Sequence, residues 1–243
     1  SSMKTVWIIA ERELQVYFDS LVAYITLALF LGVSGFFTWL YGNDIFIMGQ
    51  ASLSVFFAIA YWTLFFFTPA LTMRLIAEER KTGTLELVLT KSVSNWQFLM
   101  GKFSAALMLI ISALVCTIPY VITVGSIGNL DSGEIIGGYL GLICMSCTYL
   151  GIGIYASSLT SNQVVAFLIA LLIGLCFHII FGVLSQNITG AAGEVFYFLN
   201  MATHYESISR GVIDTKDLLY FFSIAGAGLV LADAEIKKLK ISG

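Results

Sequence analysis

Residues 74–102 have the sequence RLIAEERKTGTLELVLTKSVSNWQFLMGK and separate two strongly apolar stretches of the chain. Charged side chains gather at 78–81, and Thr82-Gly83-Thr84 follows them as a turn signal. Long apolar stretches on both sides are typical of membrane spans, so this segment is predicted to lie at a membrane surface.

A short amphipathic helix is predicted directly after the turn. Leu85, Val88 and Leu89 have the i, i+3, i+4 spacing of one helical face. A threonine on either side of Gly83 is expected to cap its first turn, where Glu86 suits the positive end of the helix dipole. Such a helix between two spans could transmit force from a partner protein. A polar loop that is merely capped is the other interpretation.

The composition of the whole chain predicts an all-α, polytopic membrane protein. Of the 243 residues, 58% are apolar and 11% are charged, whereas soluble domains carry about 25% charged residues. The mean hydropathy is +0.92, and a chain of this length could not cover so large an apolar core by itself. The net charge is −3, which gives no indication of a nucleic-acid partner.

The apolar stretches predict a single domain with six transmembrane helices. These are 21–42, 51–73, 103–125, 137–159, 163–184 and 217–236. Segment 3–19 is predicted to be an interfacial helix. Segment 185–216 holds an apolar run too short to cross, so it is predicted to form an outer re-entrant hairpin.

Several single residues carry further expectations. Glu13 falls on the apolar side of the interfacial helix, so we expect it to face the charged loop rather than lipid. Pro69 is expected to kink the second span. Gly151 and Gly153 indicate that the fourth span is a packed interior helix. Asp233 is placed to pair with a lysine four residues later.

The distribution of basic residues predicts the orientation. With both termini and 74–102 inside, ten of the twelve Lys and Arg residues lie inside, and only Arg210 and Lys216 lie outside. A short outer loop is then expected around Asn43 and Asp44. Membrane lipids surround the spans in this arrangement.

The run EERKTGTLELVLTKSVS resembles the cytoplasmic loop of ABC-2-type transporter permeases. The matching positions are Glu78, Glu79, Arg80, Gly83, Thr84, Leu85, Glu86 and Leu89. ERELQVYFDS at 11–20 and HYESISRGVIDTKDLLYF at 204–221 extend the resemblance, which is greatest to the gliding-motility-associated branch of the family.

The resemblance implies a permease subunit, with the matching positions coupled to a separate ATPase. ATP would then be bound and hydrolysed on that partner, and the chain itself would need no cofactor. It also implies a second permease chain, either identical or a sister, in the inner membrane of a bacterium. Export, with a link to gliding motility, is the expected function.

Two other functions are weighed against this one. An ion- or proton-coupled carrier would show internal repeats or charged midplane residues, and the sequence has neither. A non-transporting scaffold of a motility or envelope machine stays open. The sequence contains no P-loop, HExxH or GxSxG motif, which argues against a nucleotide-binding or hydrolytic chain.

Three groups of polar or reactive residues were candidates for sites. One is a cluster predicted at the outer membrane edge, as an ionic outer gate or a plain polar loop: His204, Glu206, Arg210 and Asp214, with Asp217 beside them. The second is His178, a packing histidine or part of a proton relay. The third is Cys144-Met145-Ser146-Cys147, small packing residues or soft copper(I) ligands.

Overall fold

A computed structural model describes residues 2–41, 49 and 51–242 of the chain. The described residues form helices and connecting turns, without a β-strand. The helices are α1 (Ser2–Asp19), α2 (Val22–Trp39), α3 (Ser54–Thr72), α4 (Ala77–Thr82), α5 (Thr84–Thr90), α6 (Asn95–Val115), α7 (Ile118–Ile127), α8 (Ser132–Ser158), α9 (Gln163–Leu175), α10 (Phe181–Asn187), α11 (Ala191–Leu199), α12 (Met201–Ser209) and α13 (Thr215–Ser242). A π-helical turn, Cys176–Ile180, joins α9 to α10.

Six helical segments in the described part of the chain are long and apolar enough to cross a membrane. They are Val22–Trp39, Ser54–Thr82, Asn95–Ile127, Ser132–Ser158, Gln163–Asn187 and Thr215–Ile241. The predicted all-α fold with six spans is therefore confirmed. The predicted outer loop at Asn43 and Asp44, and the end of the first span at Gly42, lie outside the described residues.

The bundle has two distinct ends. The end that carries α1, α4 and α5 is called the charged end below, and the end that carries α11 and α12 is called the opposite end. The chain runs between them six times, so the turn at 160–162 also lies at the charged end. The C-terminal part of α13 returns there, where the Lys240 ammonium donates to the Asn95 side-chain oxygen at 2.7 Å.

Helix α6 begins at Asn95, eight residues before the predicted start of the third span at Phe103. Ser94 caps it, because the Ser94 hydroxyl accepts from the Gln97 backbone N–H while the Gln97 side chain accepts from the Ser94 N–H. This capping box fixes the start of the helix within the charged segment. The last part of 74–102 is therefore helical.

Both prolines lie close to breaks in the helices. Pro69 lies inside α3, which ends at Thr72, and four turn residues separate it from α4. Pro119 lies in the first turn of α7, directly after the break that separates α7 from α6. A proline has no backbone N–H to donate to the preceding turn, which explains the break just before Pro119. The turn after Thr72 is not explained in this way, because the bond that Pro69 lacks lies on its N-terminal side, where α3 is regular.

Helix α8 lies in the interior of the bundle and contacts α3, α9, α12 and α13. Its contact with α13 is a contact between backbones: a Cβ added at Gly151 would lie 2.5 Å from the Ala225 carbonyl oxygen. A Cβ added at Gly228 would likewise meet the Gly151 carbonyl oxygen. The sequence prediction of a packed interior fourth span is correct.

The last span is a continuous helix of 28 residues, longer than the predicted 217–236. It continues through two acidic residues because each has a lysine on the next turn. Asp233 lies 2.6 Å from the Lys237 ammonium, as predicted, and Glu235 lies 2.5 Å from that of Lys238. Pairs at this spacing stabilise a helix surface.

Segment 185–216 contains two short helices, α11 and α12, which meet at Asn200. Helix α11 packs on α10, and α12 packs on α8. At Gly137 of α8, an added Cβ would collide with the Ile208 carbonyl oxygen. The two helices thus cover the opposite end of the bundle. That they re-enter the membrane stays a prediction.

Candidate functional site

The turn between α4 and α5 is built on Gly83, whose φ of 72° lies in the left-handed region. Gly83 ends α4 and begins α5 at once, and a glycine adopts this conformation without steric cost. The prediction of a threonine N-cap was wrong. The Thr82 and Thr84 hydroxyls lie 2.9 Å apart, and both donate back to carbonyl oxygens of α4, including that of Glu79.

Helix α5 has one face on the bundle and one face in solvent. Leu85 is buried, and Val88 and Leu89 are packed against the core, as predicted from their spacing. On the other face Glu86 is exposed and Leu87 is 65% exposed. A large apolar side chain in that position is available to a second protein.

A groove of about 530 Å³ lies beside α5, between this helix and the C-terminal part of α13. Its wall includes Arg80, Leu85 and Glu86 from the loop and Lys240 from α13. It therefore combines an apolar floor with charges of both signs at its edge. Such an arrangement suits the docking of a short protein segment.

Helix α4 is attached by hydrogen bonds to the C-terminal end of α8, which lies at the charged end. The Ser157 hydroxyl accepts from the backbone N–H groups of Ile76 and Ala77, each at 3.0 Å, and donates to the Met73 carbonyl. The Arg80 guanidinium donates to the Ser158 carbonyl at 3.0 Å. Helix α4 is therefore bonded directly to the central helix of the bundle.

A buried ionic triad joins the loop to α1 and α6. The Lys102 ammonium lies 2.8 Å from a Glu13 carboxylate oxygen and 3.0 Å from one of Glu79, and Lys102 is only 1% exposed. The expectation that Glu13 faces the loop is confirmed. Each ion is compensated by an opposite charge, which a buried charge requires.

Tyr17 makes a second connection between α1 and the loop. Its hydroxyl donates to the Leu71 carbonyl at 2.6 Å, and the Arg74 guanidinium lies 4.6 Å from its ring centre. Burial raises the pKa of Tyr17 above its ordinary value, so the phenol keeps its proton and remains a donor. Helix α1 is thus held at the membrane end of the loop.

The structure brings some of the predicted coupling residues together and leaves others apart. Glu79, Arg80, Gly83, Thr84 and Leu85 all take part in contacts within the charged end. Glu78 and Glu86 are exposed, and Leu89 lies at the groove. Sequence reasoning missed Lys102 and Ser157 as connecting residues, because their partners lie 23 to 89 positions away in the chain.

The four predicted outer-gate residues do not form one ionic cluster. His204 is buried, with Nδ1 at 2.6 Å from Asp217 Oδ1 and Nε2 at 2.7 Å from the Phe198 carbonyl oxygen. Glu206 and Arg210 form an exposed pair at 3.5 Å. Asp214 instead caps α13, where it accepts from the Lys216 N–H. A closing function for these residues stays a prediction.

His178 lies in the π-helical turn and is buried among aromatic rings. Its Nδ1 is 2.5 Å from the Tyr149 hydroxyl, and its ring stacks on those of Tyr61 and Phe65. These contacts support the packing interpretation. Cys144 and Cys147 are buried free thiols, and no group of three or more metal-binding side chains occurs in the described part of the chain.

A comparison with known protein families bears on what this architecture does. The profile described as "ABC-2 family transporter protein" matches residues 46–210, which is more than half of the chain. The chain belongs to the ABC-2 transporter family. This match contains α3 to α12, and so includes the loop, the α5 side of its groove, and the two helices of the opposite end. No curated protein matches the chain.

Membership explains the general character of this ABC-2 chain. It is a transmembrane permease with several spans. Members of the family form the membrane component of a transporter and are not themselves catalytic. An ABC ATPase is the kind of partner that the family implies.

Proposed function

We propose that this chain is the permease subunit of an ABC exporter, driven by a separate ATPase subunit that docks on α4 and α5. The observation that carries the proposal is the division of α5 into a packed face and an exposed face. Leu85 fixes the helix to the bundle, while Leu87 and Glu86 are free to meet a partner.

The contacts of the charged end support a mechanical role for this surface. A push on α5 passes through Gly83 to α4, and from α4 through Ser157 to α8. The same loop is joined to α1 and α6 through Lys102. Because these joints are buried hydrogen bonds and ion pairs, a movement caused by nucleotide binding on the partner would reach three helices together.

The location of the partner follows from charge. Ten of the twelve basic residues lie at or near the charged end, so the positive-inside rule favours placing that end and both termini in the cytoplasm, where ATP is available. The membrane is then the bacterial inner membrane, and the resemblance to gliding-motility permeases links the complex to motility. A second permease chain, identical or sister, would complete the pathway.

Copurification tests the proposal. The chain would be coexpressed with an ABC ATPase encoded next to its gene, isolated in detergent, and assayed for bound ATPase and ATP hydrolysis. We expect Leu87→Asp and Glu86→Arg each to reduce bound ATPase about tenfold, which corresponds to about 1.4 kcal/mol. Val212→Asp is the matched control, because Val212 is 59% exposed but lies at the opposite end.

Wild-type ATPase binding and hydrolysis in both α5 variants would contradict docking at this helix. If the unmutated chain binds no ATPase, the proposal of an ATPase-driven exporter fails, and the scaffold function would be favoured. Leu85→Asp is a less direct test, because Leu85 is buried and its loss also disturbs the packing of α5.

A further inference from the structure

A buried histidine joins α11 and α12 to the start of α13. His204 lies in α12 and is 2% exposed. Its Nε2 is 2.7 Å from the Phe198 carbonyl oxygen in α11, and its Nδ1 is 2.6 Å from a carboxyl oxygen of Asp217 in the first turn of α13. One imidazole ring therefore bonds to a helix on either side of its own.

The two partners of the ring determine how many protons it shares. The Phe198 carbonyl oxygen can only accept, so Nε2 must carry a proton. A second proton must lie between Nδ1 and the Asp217 oxygen, since otherwise two lone pairs would face each other at 2.6 Å. This count is the same whether that proton is on the ring or on the carboxyl group. The pair thus holds one proton more than a neutral histidine and a carboxylate.

Loss of this extra proton breaks the arrangement. A neutral imidazole has a single N–H, so it donates to Phe198 or to Asp217 but not to both. The carboxylate is then a buried negative charge beside an uncharged ring, and its Oδ2 has no hydrogen-bond partner among the described residues. A buried charge without compensation and a buried acceptor without a donor both cost free energy.

Other ionisable groups border the pair without a clear excess of one charge. The Tyr220 ring stacks on His204 with centres 3.9 Å apart, and its hydroxyl donates to the Leu199 carbonyl. A cavity of about 710 Å³ borders the pair, and its other ionisable side chains are two acids, two bases and a tyrosine: Glu206, Asp214, Arg210, Lys216 and Tyr197. Both acids are engaged, Glu206 with Arg210 and Asp214 with the Lys216 N–H.

The remaining neighbouring helices add no charge to the wall of this cavity. Helix α10 contains no charged residue, and Glu194 of α11 is exposed and does not line the cavity. Asp131 and Glu134 at the start of α8, and His178 of the π-helical turn, line a separate cavity. The protonation of the pair is therefore governed mainly by its own geometry and by the pH of the solvent that reaches it.

We propose that His204 and Asp217 form a proton-dependent latch that holds α11 and α12 against α13. With the extra proton, both bonds of the ring are made and the latch is closed. As the pH rises and this proton leaves, one bond is lost, so the closed state is favoured at low pH. The cavity beside the pair extends to the exposed Arg210 and Lys216, which gives protons a route from solvent.

The latch needs neither an ATPase nor a transported molecule, so it goes beyond the proposed function. With the charged end in the cytoplasm, as proposed above, the latch responds to the pH on the other side of the membrane. That assignment of sides alone rests on the proposed function.

Spin-label distances test the latch on the chain alone in lipid nanodiscs. Labels are attached at Val195→Cys of α11 and Leu219→Cys of α13, which are 56% and 62% exposed, after Cys116 and Cys176 are replaced by serine. The shorter and longer distances report the closed and open states. We expect the ratio of closed to open to fall at least about tenfold from about pH 5 to about pH 9, on either side of the ordinary titration range of histidine.

Asp217→Asn separates the latch from other effects of pH. Its amide N–H can donate to Nδ1 while Nε2–H still reaches Phe198, so the variant needs no extra proton. We expect its ratio of closed to open to change less than about twofold over the same range. Glu206→Gln is the matched control, because it makes the same replacement at an exposed carboxylate of α12 and should keep the wild-type dependence.

The latch is overturned if the wild-type distances do not change with pH, if Asp217→Asn keeps the full dependence, or if Glu206→Gln loses it. A second measurement decides the case if Asp217→Asn does not fold. The chain contains two histidines, so imidazole ¹⁵N NMR spectra of the wild type are simple to follow. One histidine signal must shift over the pH range in which the distances change, and distances that change while neither signal shifts also overturn the latch.

Discussion

At the charged end, Lys102 is buried and joins Glu13 to Glu79, whereas at the opposite end Arg210 is exposed and pairs with Glu206, four residues away. The first arrangement connects segments that are 89 and 23 positions apart in the chain. The second stabilises one turn of α12. Ionised groups therefore join distant segments at the charged end, whereas the exposed pair at the opposite end joins neighbouring residues of one helix.

Replacing Lys102 should lower the free energy of unfolding more than any other change proposed for the two ends. Lys102→Met keeps an unbranched side chain but leaves two carboxylates without their buried cation, so we expect a loss of about 3–5 kcal/mol in the free energy of unfolding. Equilibrium unfolding in mixed micelles measures it. The exposed Lys216→Met is the control. A value for Lys102→Met close to that of the control would remove the structural role given to the triad.

The opposite end also has a buried pair, His204 with Asp217, and Asp217→Asn tests it. An amide keeps the shape of the side chain but loses the charge that faces His204 Nδ1 at 2.6 Å. We expect a loss of about 1.5–3 kcal/mol, the contribution of a hydrogen bond to a charged group. The same unfolding assay measures it, with the exposed Asp19→Asn as control. An effect as large as that of Lys102→Met would mean that the two ends do not differ.

Tyr17→Phe removes a neutral buried hydrogen bond at the charged end. The Leu71 carbonyl loses its phenol donor while the ring remains under Arg74, so we expect a loss of about 1 kcal/mol. Tyr24→Phe, on exposed α2, should leave the free energy of unfolding unchanged. Equal values for the two variants would show that the bond between α1 and α3 is not stabilising.

Arg210→Gln should have the smallest effect. The pair it breaks is exposed, with the nitrogen and oxygen 3.5 Å apart and the residues one helical turn apart. We expect the free energy of unfolding to stay within about 0.5 kcal/mol of the wild type. A loss greater than 1 kcal/mol in the unfolding assay would contradict this and show that the pair contributes to the stability of the opposite end.

Hydropathy predicted the spans because long apolar runs have few alternatives to a transmembrane helix. The predicted ends of the helices were less accurate where a side-chain cap determines the first residue. The start of α6 at Asn95 was missed, although Ser94 and Gln97 have the S-x-x-Q spacing of a capping box. Gly83 was seen as a turn residue, but that it serves both α4 and α5 depends on its backbone conformation.

The candidate sites were less predictable than the fold. The packed and exposed faces of α5 follow from periodicity, and Glu13 was recognised as a misfit that needs a partner. That the partner is Lys102 could not be found, because the pairing depends on how α1 crosses α6. The contact between Tyr61 and His178 was hidden for the same reason: each resembles an ordinary span residue until their rings are stacked.

The glycines that bring α8 and α13 into backbone contact also determine how the bundle can deform. With no layer of side chains between them at Gly151 and Gly228, sliding or tilting of one helix against the other meets immediate steric resistance. The fourth and sixth spans should therefore move together as one rigid unit. Spin labels attached to this pair should keep a constant separation through an ATP cycle, and changes of distance should appear at α2 and α9, the least enclosed spans.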